Sequence, residues 1–199
     1  MLRVTAKQQL MREIVELLSV LTEEAKLLWS EKGLHVTVVD GSHVALLSAT
    51  IADECFETYE VEKVEIGLEL GKMRDLLTLA GPNDLVELDY DESVGAINVR
   101  VGEVHRILRG VDPATMNNPN IPNLEFNHKA TVGSDRLSRS LRAAKFVGEI
   151  VDLSLEKTHM TVSITVEAGE GVNVRFESGE LSELICPSST QSSYSLQFL

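Results

Sequence analysis

Residues 134–166 read SDRLSRSLRAAKFVGEIVDLSLEKTHMTVSITV, and their hydrophobic period changes part-way along. From residue 134 to 145 the apolar residues Leu137, Leu141 and Ala144 recur at helical spacing, with Ser134 in the capping position. Residues 150–155 and 159–166 read as strands, separated by Glu156-Lys157-Thr158. The pattern is a helix followed by a hairpin. The same order has already occurred once. Thr5 and Gln8 have the T-x-x-Q form of a capping box, and Leu10, Ile14, Leu17, Leu18 and Leu21 then share one helical face. Residues 25–30 and 34–39 flank Glu31-Lys32-Gly33 as a hairpin. Leu10 aligns with Leu137 at a spacing of 127, and Glu31-Lys32 with Glu156-Lys157 at 125, so a two-residue gap reconciles the copies. Repetition of this order predicts an internal duplication of one α+β unit.

Between the copies, residues 43–51 and 64–70 read as strands. Residues 71–80 form a short helix carrying Met73, Leu76 and Leu77, stopped by Gly81-Pro82-Asn83. Residues 85–90, 96–101 and 104–111 make a three-strand meander, turned at 91–95 and at Gly102-Glu103. Residues 112–127 have no period and hold Pro113, Pro119, Pro122, Asn117, Asn118, Asn120 and Asn123, which is the composition of an extended linker. The expected domains are 1–112 and 128–199, joined by a connector over 113–127. The second copy is about 40 residues shorter than the first and reads as a domain cut short, ending on the apolar stretch 194–199.

A chain of 199 residues with 43% hydrophobic content can build two modest cores. No apolar run approaches the roughly 20 residues that span a bilayer, and Met1-Leu2-Arg3-Val4-Thr5 does not open a signal peptide. A soluble cytosolic or nuclear protein, free of membranes, is expected. Cys55 and Cys186 lie far apart and outside any CxxC, so two idle thiols are expected. His35, His43, His105, His128 and His159 are scattered, with no HxxxH, phosphate loop or nucleophile motif to join them. Neither catalysis nor a metal or other cofactor is expected. The net charge of −13 disfavours nucleic acid for the surface as a whole. Contact with DNA would require the 18 basic residues to gather on one surface.

Three arginines gather on one face of residues 134–145. With Leu141 at the centre of the apolar face, Arg136, Arg139 and Arg142 project from the opposite side as a stripe read as free of acids. The earlier helices are weaker. Arg12 points away from the apolar face but shares its side with Glu16, and Lys7 falls nearer the core. Lys72 and Arg74 flank Asp75 and Thr78, and Lys145 points toward the sheet on an ideal helix.

Several stretches, in order along nearly the whole chain, resemble the PCNA family of DNA sliding clamps. They are Asp40-Gly41-Ser42-His43-Val44-Ala45-Leu46, Cys55-Phe56-Glu57-Thr58-Tyr59, Leu79-Ala80-Gly81-Pro82-Asn83-Asp84, Ile121-Pro122, and Tyr194-Ser195-Leu196-Gln197-Phe198-Leu199, the last resembling the start of the family's fourth helix. The resemblance implies a duplicated α+β clamp fold with antiparallel sheets outside and helices lining a central hole. It implies a homotrimeric ring around duplex DNA, serving replication and repair as a processivity factor, in archaeal cytoplasm or in a nucleus. Arg139 and Arg142 align with basic positions of the family's third helix, whereas lysines usually stand near Asp75 and Thr78. Partners would be DNA polymerase, the clamp loader and other proteins carrying short clamp-binding peptides. By resemblance these peptides meet Val39, His43, Leu46, Ile121 and Pro122. The ring would close through residues 105–111, with His105, Ile107 and Arg109, against residues 172–176 of a neighbour, with Val172, Val174 and Phe176. A non-encircling or checkpoint-type clamp-like binding module is the alternative. The rest of the fourth helix, the last strands and the family's apolar-Ala-Pro tail have no match here.

Overall fold

A computed structural model describes residues 1–116, 119–167 and 169–199; Asn117 and Asn118 of the linker lie outside the described residues. The chain divides into two compact units, Met1–Ile121 and Pro122–Leu199.

In the first unit, β1 (Leu2–Lys7) alternates Leu2, Val4 and Ala6 into the core, as one buried face of a strand requires. It runs directly into α1 (Gln8–Ser19). No side chain caps that helix, so the capping box expected of Thr5 and Gln8 does not form; Thr5 lies within β1. The first helical N–H groups are instead satisfied by loop carbonyls, Gln8 donating to Asp84 at 2.8 Å and Gln9 to Pro82 at 3.1 Å. The Gln8 side chain is buried and donates to the Leu77 carbonyl at 2.7 Å.

The buried face of α1 is Gln8, Met11, Ile14, Val15 and Leu18. The expected stripe is therefore rotated: Leu17 is 46% exposed, and Met11 and Val15 take the core positions. After α1 come β2 (Glu24–Ser30), β3 (Gly33–Val39), β4 (Leu46–Ala52), β5 (Thr58–Val61), β6 (Val64–Glu69), α2 (Leu70–Leu77), β7 (Leu85–Asp91), β8 (Ala96–Val101) and β9 (Val104–Arg109). They form two antiparallel sheets, ordered β4-β3-β2-β6 and β5-β1-β7-β8-β9. One core unites both sheets and both helices. Trp29, Phe56 and Tyr59 pack in tilted pairs with centroids 5.2 to 6.2 Å apart. The Tyr59 hydroxyl donates to the Ser30 carbonyl at 2.7 Å, and burial pushes its pKa up.

The second unit repeats this plan. It contains β10 (Lys129–Thr131), α3 (Ser134–Lys145), β11 (Ile150–Glu156), β12 (His159–Thr165), β13 (Gly171–Glu177), β14 (Glu183–Ile185) and β15 (Thr190–Ser195). The sheet β13-β12-β11-β15 reproduces β4-β3-β2-β6, and the pair β10-β14 reproduces β1-β5. Gln8 and Ser134 open helices of equal length 126 positions apart, and Glu24 and Ile150 open matching strands at the same spacing. The copies therefore align through the helix and hairpin without the two-residue gap expected. Leu137 corresponds to Met11, not to Leu10. Ser134 is the first residue of α3 and does not cap it; Gly133 holds the cap position. At the far end Tyr194 and Ser195 still belong to β15, and a helical turn begins only at Leu196. The core here is smaller, built on Ala144, Val151, Met160, Val162, Ile164 and Phe176, with Leu137 and Leu141 half-buried against it.

Candidate nucleic-acid interface and partner surface

On α3, Ser140 and Ala144 are buried, Leu137 and Leu141 are half-buried, and Arg139 and Arg142 project on the exposed side. Neither arginine has a carboxylate partner among the described residues. Arg142 reaches back only to the Ser138 carbonyl, at 3.4 Å. Arg136 differs. At about 100° per residue it falls on the flank of the buried face, not opposite it. Its guanidinium pairs with Glu180 at 2.8 Å and lies 5.1 Å from the centroid of the Phe176 ring. An N–H bond from Glu177 and the Arg136 contact together hold the Glu180 carboxyl below its ordinary pKa. Arg136 thus spends its charge within the unit. The outward stripe also carries an acid: Asp135, in the first turn, falls between Arg139 and Arg142 by helical angle.

In the first unit, Arg12 pairs with Glu16 at 2.6 Å and Lys72 with Glu69 at 2.5 Å, while Arg74 has no partner among the described residues. Arg12, Glu16 and Arg74 share a groove of about 310 Å³ between α1 and α2. Lys7 is exposed and lies 3.7 Å from Glu57; Lys145 is exposed as well, not turned toward the sheet.

A second groove, of about 290 Å³, crosses the outer face of the β4-β3-β2-β6 sheet. Lys26, Thr37 and Val39 form its floor, and Val111, Met116 and Pro119 its other wall. The segment after β9 is held there because the Val111 N–H donates to the Gly67 carbonyl at 3.0 Å. A Cβ at Gly67 would lie 2.3 Å from the Val111 oxygen, so only glycine permits this crossing. Of the expected peptide contacts, Val39 lines this groove. Leu46 pairs with Val39 across the hairpin and is exposed, as are His43, Ile121 and Pro122. These four are not part of the groove wall. Sequence reasoning missed Met116, Pro119 and Val111; a lone glycine inside strand β6 was the available signal.

The β3–β4 turn is itself rigidly built. The buried Asp40 carboxylate accepts N–H bonds from Ser42 at 2.9 Å and from Val44 and Ala45 at 2.7 Å. His43 takes φ +57°, a left-handed conformation uncommon outside glycine. The turn presents Val44 at 72% exposure.

Both strands expected to join subunits are sheet edges, β9 in the first unit and β13 in the second. Ile107 is exposed at 61%, with His105 and Arg109 also exposed. On β13, Val172 and Val174 are half-buried and Phe176 is buried in their own core. Those three side chains face inward, so the contact they can offer runs through the backbone edge.

Residues 1–107 match the model of the proliferating cell nuclear antigen N-terminal domain. The chain belongs to this family of sliding clamps. Full-length similarity extends to the DNA polymerase sliding clamp of Methanoregula boonei, at 26% identity over 100% of this chain and 81% of that protein. The DNA polymerase sliding clamps of Methanococcoides burtonii and Thermoplasma volcanium are each 28% identical over 100% of this chain, covering 81% and 80% of those proteins. Among solved structures, A. fulgidus PCNA with the C-terminal region of FEN-1 bound superposes with a TM-score of 0.92 at 24% identity. That match covers 100% of this chain and 82% of the other. The fold is therefore the duplicated α+β PCNA clamp fold. On its α2 and α3 helices, Arg74, Arg139, Arg142 and Lys145 are the basic side chains without a carboxylate partner among the described residues. Among the described residues no group of three or more His, Cys, Asp or Glu is placed to hold a metal ion, and no helix is long and apolar enough to cross a membrane.

Proposed function

We propose that this clamp subunit closes head to tail with two further copies into a ring around duplex DNA, and there tethers DNA polymerase and other replication and repair proteins. Domains 1–112 and 128–199 are the repeated parts, with 113–127 the connector. The observation that carries the reading is the pair Arg139 and Arg142, outward and unpaired on α3 in a chain of net charge −13. Phosphate attraction from such a pair is independent of base sequence and of register, which a sliding contact requires. Arg74 adds to it; Arg12, Lys72 and Arg136, each already paired, contribute less. Enclosure supplies the long residence, and the clamp performs no chemistry of its own. The edge positions of β9 and β13 support head-to-tail closure by pairing of one subunit's β9 with a neighbour's β13, since heterologous contacts make rings when the rotation closes. The groove floored by Val39, with the exposed His43, Val44, Leu46, Ile121 and Pro122, is the surface for short partner peptides, including that of the clamp loader. The protein works where duplex DNA is replicated, in cytoplasm or nucleus.

The test is the salt dependence of duplex binding for Arg139→Ala plus Arg142→Ala. Each phosphate contact contributes about 0.9 to the slope of log K against log salt, so the double variant is expected to flatten it by about 2 for each subunit whose α3 meets the duplex. An unchanged slope, with the fold intact, would remove α3 from the DNA surface.

A further inference from the structure

Phe146 stands at the C-terminal end of α3, 92% exposed. The helical turn continues through it, with its N–H bonded to the Ala143 carbonyl at 3.3 Å and that of Val147 to Ala144 at 2.9 Å. Val147 therefore enters the core, and Phe146 is directed outward. By helical angle Phe146 lies about opposite Leu137, in line with the gap between Arg139 and Arg142, and one turn beyond Arg142. Arg139, Arg142 and the adjoining Lys145 all lack a carboxylate partner among the described residues.

The first unit supplies an internal control. Its counterpart of Phe146 is Val20, the cap of α1, which remains 54% exposed although α2 packs alongside that helix. A neighbouring helix thus leaves this position uncovered. At the same 126-residue spacing, Arg139 and Arg142 correspond to Glu13 and Glu16. Among these two helices, only α3 combines an outward apolar tip with charge that attracts an anion.

A phenyl ring left in water forgoes the gain of burial. Flanked by three unpaired cations, it fits a ligand that alternates anionic and apolar groups along its length. A DNA strand does so, with its phosphates separated by deoxyribose C–H faces. We propose that Phe146 is a DNA-contact residue that packs on a deoxyribose while Arg139, Arg142 and Lys145 hold the flanking phosphates. This rests on the reading of α3 as the DNA-facing helix. Every nucleotide presents the same sugar, so the contact adds apolar affinity without base preference.

The experiment is equilibrium binding of a fluorescent linear duplex across a salt series, for the unaltered chain, Phe146→Ala, Phe146→Lys, and the Arg139→Ala plus Arg142→Ala variant. Phe146→Ala is expected to weaken binding about three- to tenfold at every salt concentration. Its slope should not change, because no phosphate contact is lost. Phe146→Lys should steepen the slope by about 0.9 for each contacting subunit, through one added phosphate contact apiece. Thermal unfolding should be the same for both. Unchanged affinity in Phe146→Ala, beside a flattened slope in the arginine variant, overturns the role of Phe146 alone. An unchanged slope in the arginine variant overturns the DNA-facing reading beneath it. A lowered unfolding temperature in Phe146→Ala makes the residue structural and also overturns the proposal.

Discussion

Three backbone N–H groups converge on the Asp40 carboxylate, and this one side chain sets the shape of the β3–β4 turn. The N–H of Ala45, with those of Ser42 and Val44 and the nearby His43, holds the acid below its ordinary value of 3.8, against the opposing effect of burial. A depressed carboxylate pKa stabilises the folded turn above the unfolded value and is lost as pH falls through the folded one. The turn should therefore keep its form at neutral and mildly acid pH and loosen only below about pH 4. Asp40→Ala is expected to speed amide exchange of Val44 and Ala45 by at least about tenfold at neutral pH. Asp40→Asn, which keeps an acceptor oxygen, should lie between. Equal protection in all three would show that the turn holds without the carboxylate. Arg136 illustrates the limit of reading single residues: its partner Glu180 is 44 positions away, beyond any helical pattern.

Among the elements, α1 offered two overlapping stripes that share Ile14 and Leu18, one running through Leu10 and Leu17, the other through Met11 and Val15. Hydrophobicity favoured the leucines. The structure takes the second because β1 passes straight into α1, and the loop carbonyls at Pro82 and Asp84 fix the rotation of its first turn. That tertiary contact is invisible in a local window. The hairpins β2–β3 and β11–β12 and the meander β7–β8–β9 were legible, because alternation and turn residues are local signals. The short strands β5 and β14, only four and three residues long, were not, because so short a run shows no period. Leu18→Ala is expected to cost about 2–5 kcal/mol of unfolding free energy. Leu17→Ala should stay within about 0.5 kcal/mol. Denaturant unfolding decides it, and a loss in Leu17→Ala as large as that in Leu18→Ala would restore the leucine face.

Across the whole molecule, the repeat at 126 residues explains the fold, and the charges on the two helices differ. The two copies share helix, hairpin and sheet order, yet Glu13 and Glu16 of one stand where Arg139 and Arg142 stand in the other. Unpaired basic charge thus stands on α3 at Arg139, Arg142 and Lys145; the helical angles of the sequence pointed to the two arginines but set Arg136 opposite the core and overlooked Asp135. The groove proposed for partner peptides was only half legible, since its far wall is made by residues that cross β6 at Gly67. The proposed ring, closed at sheet edges, would enclose DNA topologically. That enclosure is tested most directly by loading the protein with a clamp loader onto nicked circular duplex, then measuring how much stays bound before and after the circle is cut. An enclosing ring is expected to stay on the circle, to leave on linearisation, and to lose retention in Ile107→Pro, which blocks ladder pairing along β9 while the subunit stays folded. Equal retention on circular and linear DNA, or a fully retained Ile107→Pro variant, would contradict it.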